Sequence, residues 1–414
     1  MRNKFQIILA ISILLFSVQA CESTVPEAQS TIPPVRLTEP LEEFNPTEAI
    51  ELTEPAEVQL ASNFSFKMSE EFVSQNCLTL PNLRVFSPKL INGAYVLSVN
   101  ESQNISSLQL ADGSLSPLHV SDSPEGHIDG LIEFDYPWYT YSETDSPQGF
   151  GDWHLHLVNV EDGSNIIIAD QERYGSFSLY NALALDSGKL YLAVSNFDGA
   201  KVISSEVFEI NPETKESKLL FNNEGGPYYF SNISVSNGYL AIENNVPKSD
   251  DAKFISLYDI ANGKWIDLPE SKMGSSPYVE YPYLVWKNYN RNANPGSLTI
   301  FNIINESSTI RDLPEPFSST LSISNAYIIT ASTGLDQSHN MILLSSLDNG
   351  DSYAIQLEGR DEIQVSGPYI DDQNFLIWAF TDIENPDQIT SYVCRIPLEE
   401  VLSNSEEGID ASWN

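Results

Sequence analysis

The chain has 414 residues, 41% hydrophobic and 11% aromatic, enough apolar side chain for one large packed domain or two smaller ones, so wholesale disorder is excluded. Its 58 acidic against 20 basic residues give a formal net charge of -38. That field repels phosphate backbones, which excludes nucleic acid as a partner.

At the N-terminus, Arg2 and Lys4 precede an apolar run from Phe5 to Val18, interrupted by Gln6, Ser12 and Ser17 and followed by Gln19-Ala20-Cys21. The run is too short for a spanning helix, so residues 1–20 read as a secretory signal. Val18-Gln19-Ala20-Cys21 resembles the bacterial lipobox, in which the peptide is cut before the cysteine and the thiol is lipidated. The resemblance implies lipidation at Cys21 and an extracytoplasmic protein anchored to the membrane of a bacterial cell envelope. An ordinary cleavage after Ala20, leaving a soluble secreted protein, is the alternative. Residues 21–61 carry Pro26, Pro33, Pro34, Pro40, Pro46 and Pro55 among nine glutamates, with Arg36 the only basic residue. Such a stretch cannot bury enough apolar surface to order itself and reads as a disordered acidic tether.

After a lead-in segment, residues 62–75, helical periodicity is almost absent. Runs such as YLAVSNF, FISLYDI, SLTIFNI and NFLIWAF alternate or stay apolar for five to seven residues, which is the strand pattern. Seven turns lie between one strand and the next: Asn92-Gly93, Tyr136-Pro137, Ser187-Gly188, Asn237-Gly238, Tyr281-Pro282, Asn325-Ala326 and Gln373-Asn374. Their successive spacings are 44, 51, 50, 44, 44 and 48 residues. Six further turns follow at Asp112-Gly113, Asp162-Gly163, Pro212 to Lys215, Asn262-Gly263, Glu306-Ser307 and Asn349-Gly350. Two hairpins per repeat of this length is the signature of an all-β propeller with four-stranded antiparallel blades.

Seven inner turns against six outer ones leave the last blade short of its outermost strand. The fragment NCLTLPN, residues 76–82, has no pairing strand before it and supplies the missing one, beside residues 389–396. A seven-bladed propeller over residues 76–402, closed by an N-terminal outer strand in its last blade, is therefore predicted, with a helical turn at Leu398 to Leu402 and a polar tail over 403–414. Pro81 suits an edge strand, where a missing N–H costs little. Closure brings Cys77 and Cys394 to adjacent strands, directly opposite or diagonal, as candidates for a disulfide; two buried free thiols are the alternative.

The strand rhythm, repeat length, end-to-end closure and lipoprotein start resemble bacterial extracytoplasmic β-propellers of the broad TolB-like, WD40-like class. The likeness is architectural, because neither the Ser-Pro-Asp-Gly signature of TolB-like repeats nor the Trp-Asp and Gly-His signatures of WD40 blades is present.

In a propeller, both hairpin turns of each blade lie on one rim, here the turn rim. The loops joining second to third strands, and those joining blades, form the other, the loop rim. Aromatics assigned to the loop rim, Trp153, Tyr228, Tyr229 and Tyr289, are candidates to stack on a sugar or grip a peptide, the alternative being packing between blades. His154 and His156, two apart on a strand, share a face and offer half a zinc site, but no third ligand is visible and no metal or other cofactor is expected. No catalytic residue is assigned: Gly-x-Ser-x-Gly, the phosphate loop and the spaced calcium loop are all absent. The expectation is a membrane-anchored binding or scaffolding propeller that presents its loop rim to a protein, peptide or glycan. An extracellular polysaccharide-acting enzyme using rim carboxylates, and an envelope assembly factor, are the alternatives.

Overall fold

A computed structural model describes residues 63–99, 104–121, 127–144, 153–175, 183–198, 201–224, 226, 228–246, 249–268, 271, 273–288, 297–312, 321–324, 326–332, 341–357, 363–383 and 389–407. Tyr289, one of the candidate rim aromatics, lies outside them, as do the signal, Cys21 and the tether.

Seven sheets form the seven-bladed propeller that the turn spacing predicts. The innermost strands are Val85–Ile91, His127–Asp135, Leu183–Asp186, Tyr229–Ser236, Gly274–Glu280, Leu321–Ser324 and Ile363–Ile370. Each touches the next, and the last touches the first, so they enclose a central channel. Isolated four-stranded sheets would leave both faces wet. Ring closure instead buries apolar clusters between neighbouring blades, such as Trp153, Leu155 and Leu157 of the second blade against Leu183, Leu190 and Leu192 of the third.

Turn chemistry explains the repeat. Asn92-Gly93, Ser187-Gly188 and Asn237-Gly238 all take positive φ at both central residues, the conformation that matches the strand twist in a two-residue hairpin. The residue just before each of three turns also ties one blade to the next. Asp135 accepts from the Gly188 N–H, Asp186 accepts from the Asn237 and Gly238 N–H groups, and the Ser236 hydroxyl accepts from the Tyr281 N–H. Carboxylates that look like surface charge in the sequence therefore satisfy turn amides.

Cys77–Pro81 pairs antiparallel with Thr390–Pro397 as the outermost strand of the seventh blade, the place predicted for the orphan fragment. Cys77 stands directly opposite Cys394, and their sulfurs are bonded at 2.07 Å. At the seam, the Ser391 hydroxyl donates to the Leu83 carbonyl at 2.6 Å.

The lead-in segment is more structured than its sequence suggests. Asn63–Met68 is a strand that adds in parallel to Ser352–Leu357, the outer strand of the sixth blade, and Glu406–Glu407 adds beyond it. A helix, Glu70–Asn76, capped by the Ser69 side chain at the Phe72 N–H, then returns the chain to Cys77. Phe66, Met68 and Val73 fill the wedge between blades six and seven, with Leu398 and Val401 of the C-terminal helix Leu398–Ser403. Each of these buried side chains contributes about 1.5–3 kcal/mol. Both ends of the chain thus seal two adjacent blades.

Candidate functional site

Irregularities in the innermost strands select the residues that face the channel. Three of these strands share a short motif that the turn count overlooked: Ser87-Pro88-Lys89, Ser276-Pro277-Tyr278 and Gly367-Pro368-Tyr369. At each, the residue before proline takes positive φ, +47° at Ser87, +51° at Ser276 and +58° at Gly367. The pairing register slips at the same places, between Phe86 and Lys89, Ser275 and Tyr278, and Ser366 and Tyr369. A bulge rotates the strand locally and re-aims the side chain that follows. At Gly367 the bulge also needs a bare backbone, since an added Cβ would lie 2.7 Å from the Ser87 Cα.

Two of the residues that follow these bulges meet. Lys89 of the first blade places its ammonium 4.4 Å from the centre of the Tyr369 ring of the seventh, and the Tyr369 hydroxyl accepts from the Leu90 N–H at 2.7 Å. Glu133, on the twice-slipped innermost strand of the second blade, interacts electrostatically with Lys89. It also acts on Tyr278 of the fifth blade. Blades two and five are not neighbours, so that interaction crosses the channel axis. Burial pushes the Glu133 carboxyl up to about 7, with Lys89 opposing the shift. Burial also lowers the Lys89 ammonium pKa, against the pull of Glu133, and raises the Tyr278 phenol. Nearer the turn rim stand Asp135, Asp186 and Glu280; burial raises the Glu280 carboxyl, with Asp186 adding to the shift.

The loop rim is different in kind. Trp153, expected there as a ligand platform, is 1% exposed. Its ring fills the space between blades two and three, and its indole N–H donates to the Gly175 carbonyl, so it is core rather than rim. Tyr228 is half-buried edge-on against Phe254. Tyr229 remains partly exposed and packs edge-on against Phe197 at 5.3 Å. Phe197, 44% exposed beside the loop after the second strand of blade three, was not among the candidates. Its signal was an aromatic placed directly before Asp198-Gly199, where a strand ends.

Of the predicted pair, His156, together with His119, serves the blade one–two junction. Tyr141 is sandwiched between His119 at 4.7 Å and His156 at 4.4 Å. His156 Nδ1 meets Asn165 Oδ1, Asn165 donates to the Tyr141 hydroxyl, and His156 Nε2 lies 3.5 Å from Glu143. Among the described residues no three His, Cys, Asp or Glu side chains are grouped to hold a metal.

No protein-family model and no curated relative matches the sequence. Among solved structures, oligogalacturonate lyase from Vibrio parahaemolyticus superposes with a TM-score of 0.52 at 11% identity, over 76% of this chain and 91% of that one. A prolyl endopeptidase superposes at 0.54 with 13% identity, over 81% of this chain and 50% of the longer enzyme. TolB from Acinetobacter baumannii gives 0.41 at 14% identity, over 68% and 67% of the two chains, too loose a superposition to carry an argument. At such identities the likeness establishes the β-propeller fold alone.

Proposed function

We propose that the protein is an extracytoplasmic binding module, lipid-anchored at Cys21, which holds its propeller on the acidic tether of residues 21–61 and offers the loop rim to a glycan, peptide or partner protein. The observation that carries this reading is the Phe197–Tyr229 pair, an aromatic edge left partly in water on the loop rim while comparable rings are packed between blades. The secretory signal and lipobox resemblance support the placement, and among the described residues no helix is long and apolar enough to cross a membrane.

A polysaccharide-acting enzyme would need two carboxyl groups poised on one substrate. The half-buried carboxylates Asp135 and Asp186 and the buried Glu243 and Asp371 instead accept from backbone amides, and Glu133 is opposed by a lysine. Binding is the reading these contacts favour. The test is a glycan and peptide array probed with the mature chain and with a Phe197→Ser/Tyr229→Ser variant. Loss of the captured ligand by the variant, about tenfold or more, is expected for truncation of two aromatic anchors. Equal capture by both proteins would remove the rim from the binding surface.

A further inference from the structure

We propose that Asn92, in the inner turn of blade one, is a modification site: the Gly93 backbone nitrogen attacks its side chain and expels ammonia, leaving aspartate or isoaspartate, while the fold protects the other Asn-Gly turns. The sequence holds four such pairs, Asn92-Gly93, Asn237-Gly238, Asn262-Gly263 and Asn349-Gly350. The first two are closely matched. Both take positive φ at each residue, +48° and +82° in blade one against +51° and +79° in blade four. Both asparagines are exposed, and a Cβ added at either glycine would meet nothing within 4 Å. One contact separates them. The Asn237 and Gly238 N–H groups donate to the two carboxylate oxygens of Asp186 in blade three, each at 3.3 Å. Among the described residues no hydrogen bond engages the Asn92 side chain or the Gly93 N–H.

The chemistry explains why that contact decides. The Gly93 N–H gives its proton to solvent, the nitrogen bonds to Asn92 Cγ, and the bond from Cγ to the side-chain nitrogen breaks as ammonia leaves, closing a succinimide ring. Water then opens the ring: cleavage of the new bond at Cγ leaves aspartate, and cleavage at the main-chain carbonyl carbon leaves isoaspartate. Water is the only co-reactant, and nothing is oxidised or reduced. At Gly238 the proton that must leave is held by a carboxylate, whose charge also opposes the amide anion. The other two asparagines are held by their side chains. Asn262 Nδ2 donates to Asp259 at 2.7 Å. Asn349 Nδ2 donates to the Asp351 carboxylate at 2.7 Å, its Oδ1 accepts from the Asp351 N–H at 3.0 Å, and the Gly350 N–H donates to the Ser346 carbonyl at 3.2 Å. Blade seven, the neighbour of blade one, has an aspartate at the start of its own inner turn, but Asp371 accepts there from the Gln373 and Phe375 N–H groups. The product adds a negative charge to the turn rim, and isoaspartate inserts one more backbone carbon between Ile91 and Ala94, the pair that closes the hairpin. This site is separate from the loop rim, and nothing in its argument depends on the rim or on the anchor.

The experiment is peptide mapping by mass spectrometry of the mature protein, aged while folded at mildly alkaline pH, with isoaspartate confirmed by an isoaspartate-specific carboxyl methyltransferase and a labelled methyl donor. Asn92 is expected to convert about tenfold or more faster than Asn237, the factor that a hydrogen bond to a charged acceptor carries. Conversion at Asn262 and Asn349 is expected to lag in the same way. Asp186→Ala should raise conversion at Asn237 by about tenfold and leave Asn92 unchanged. Should that variant fail to fold, the parent protein in urea serves instead: with the ties broken, all four pairs are expected to convert at comparable rates, because each has glycine next. Asn237 converting as fast as Asn92 in the folded parent, Asn237 unchanged in folded Asp186→Ala, or Asn92 keeping its lead in urea would each overturn the assignment.

Discussion

Replacing both Cys77 and Cys394 by alanine tests how the ring is held shut. The bridge spans 317 residues, so in the unfolded chain it closes a loop comprising almost the whole propeller. Loop-closure entropy for that length is worth about 5–6 kcal/mol at 25 °C, the upper end of what disulfides deliver. A folded body of this size gains roughly 0.7 kcal/mol/K of entropy at its midpoint, so the expected fall in Tm is about 7–9 °C. Intact mass under non-reducing conditions, with and without alkylation, first establishes the oxidised state of the parent protein. Thermal unfolding of oxidised parent and double variant then gives the shift. The closing strand's other contacts, Leu80 in the core and the Ser391 to Leu83 hydrogen bond, persist in the variant, so the native ring should form at lower stability. An unchanged Tm, or two alkylatable thiols in the native parent, would refute the reasoning that the cross-link restrains the ends.

Phe66→Ala should destabilise by about 3–5 kcal/mol, as for any fully buried phenylalanine; a change under 1 kcal/mol in urea unfolding would mean that the lead-in strand is dispensable to the sixth blade. Burial, with His156 adding, lowers His119 from 6.5 to about 4. The unfolded chain therefore takes up the proton first, and stability is lost as pH falls from 6.5 toward 4, by about 1–2 kcal/mol once partial exposure is allowed for. His119→Gln should flatten that part of the stability–pH curve, and an unaltered slope would place the titration elsewhere. Cys21→Ser should abolish incorporation of radiolabelled palmitate, and label retained by the variant would contradict lipidation at this residue.

Much of the fold was legible because turn chemistry is local. Asn92-Gly93, Ser187-Gly188 and Asn237-Gly238 are positive-φ hairpin turns, and the spacing of the whole series of inner turns counts the blades. The closing strand was legible by arithmetic, since one outer strand was missing. The lead-in strand was not. Phe64, Phe66 and Met68 alternate as a strand should, but their partner is Ser352–Leu357, nearly three hundred residues away and parallel, and no turn announces it. Trp153 misled for a related reason. Its position beside a loop is local information, whereas its burial is set by the neighbouring blade.

By itself, then, the sequence determined the strand content, the number of repeats and the end-to-end closure, all of which follow from short-range patterns of turn residues and alternation. The tertiary structure decided which residues share a space. Lys89 and Tyr369 lie 280 residues apart in the chain and come together only because seven blades return their first strands to one axis, where each follows a bulge in its innermost strand. Turn propensity acts over four residues, while convergence on an axis is a property of the closed ring.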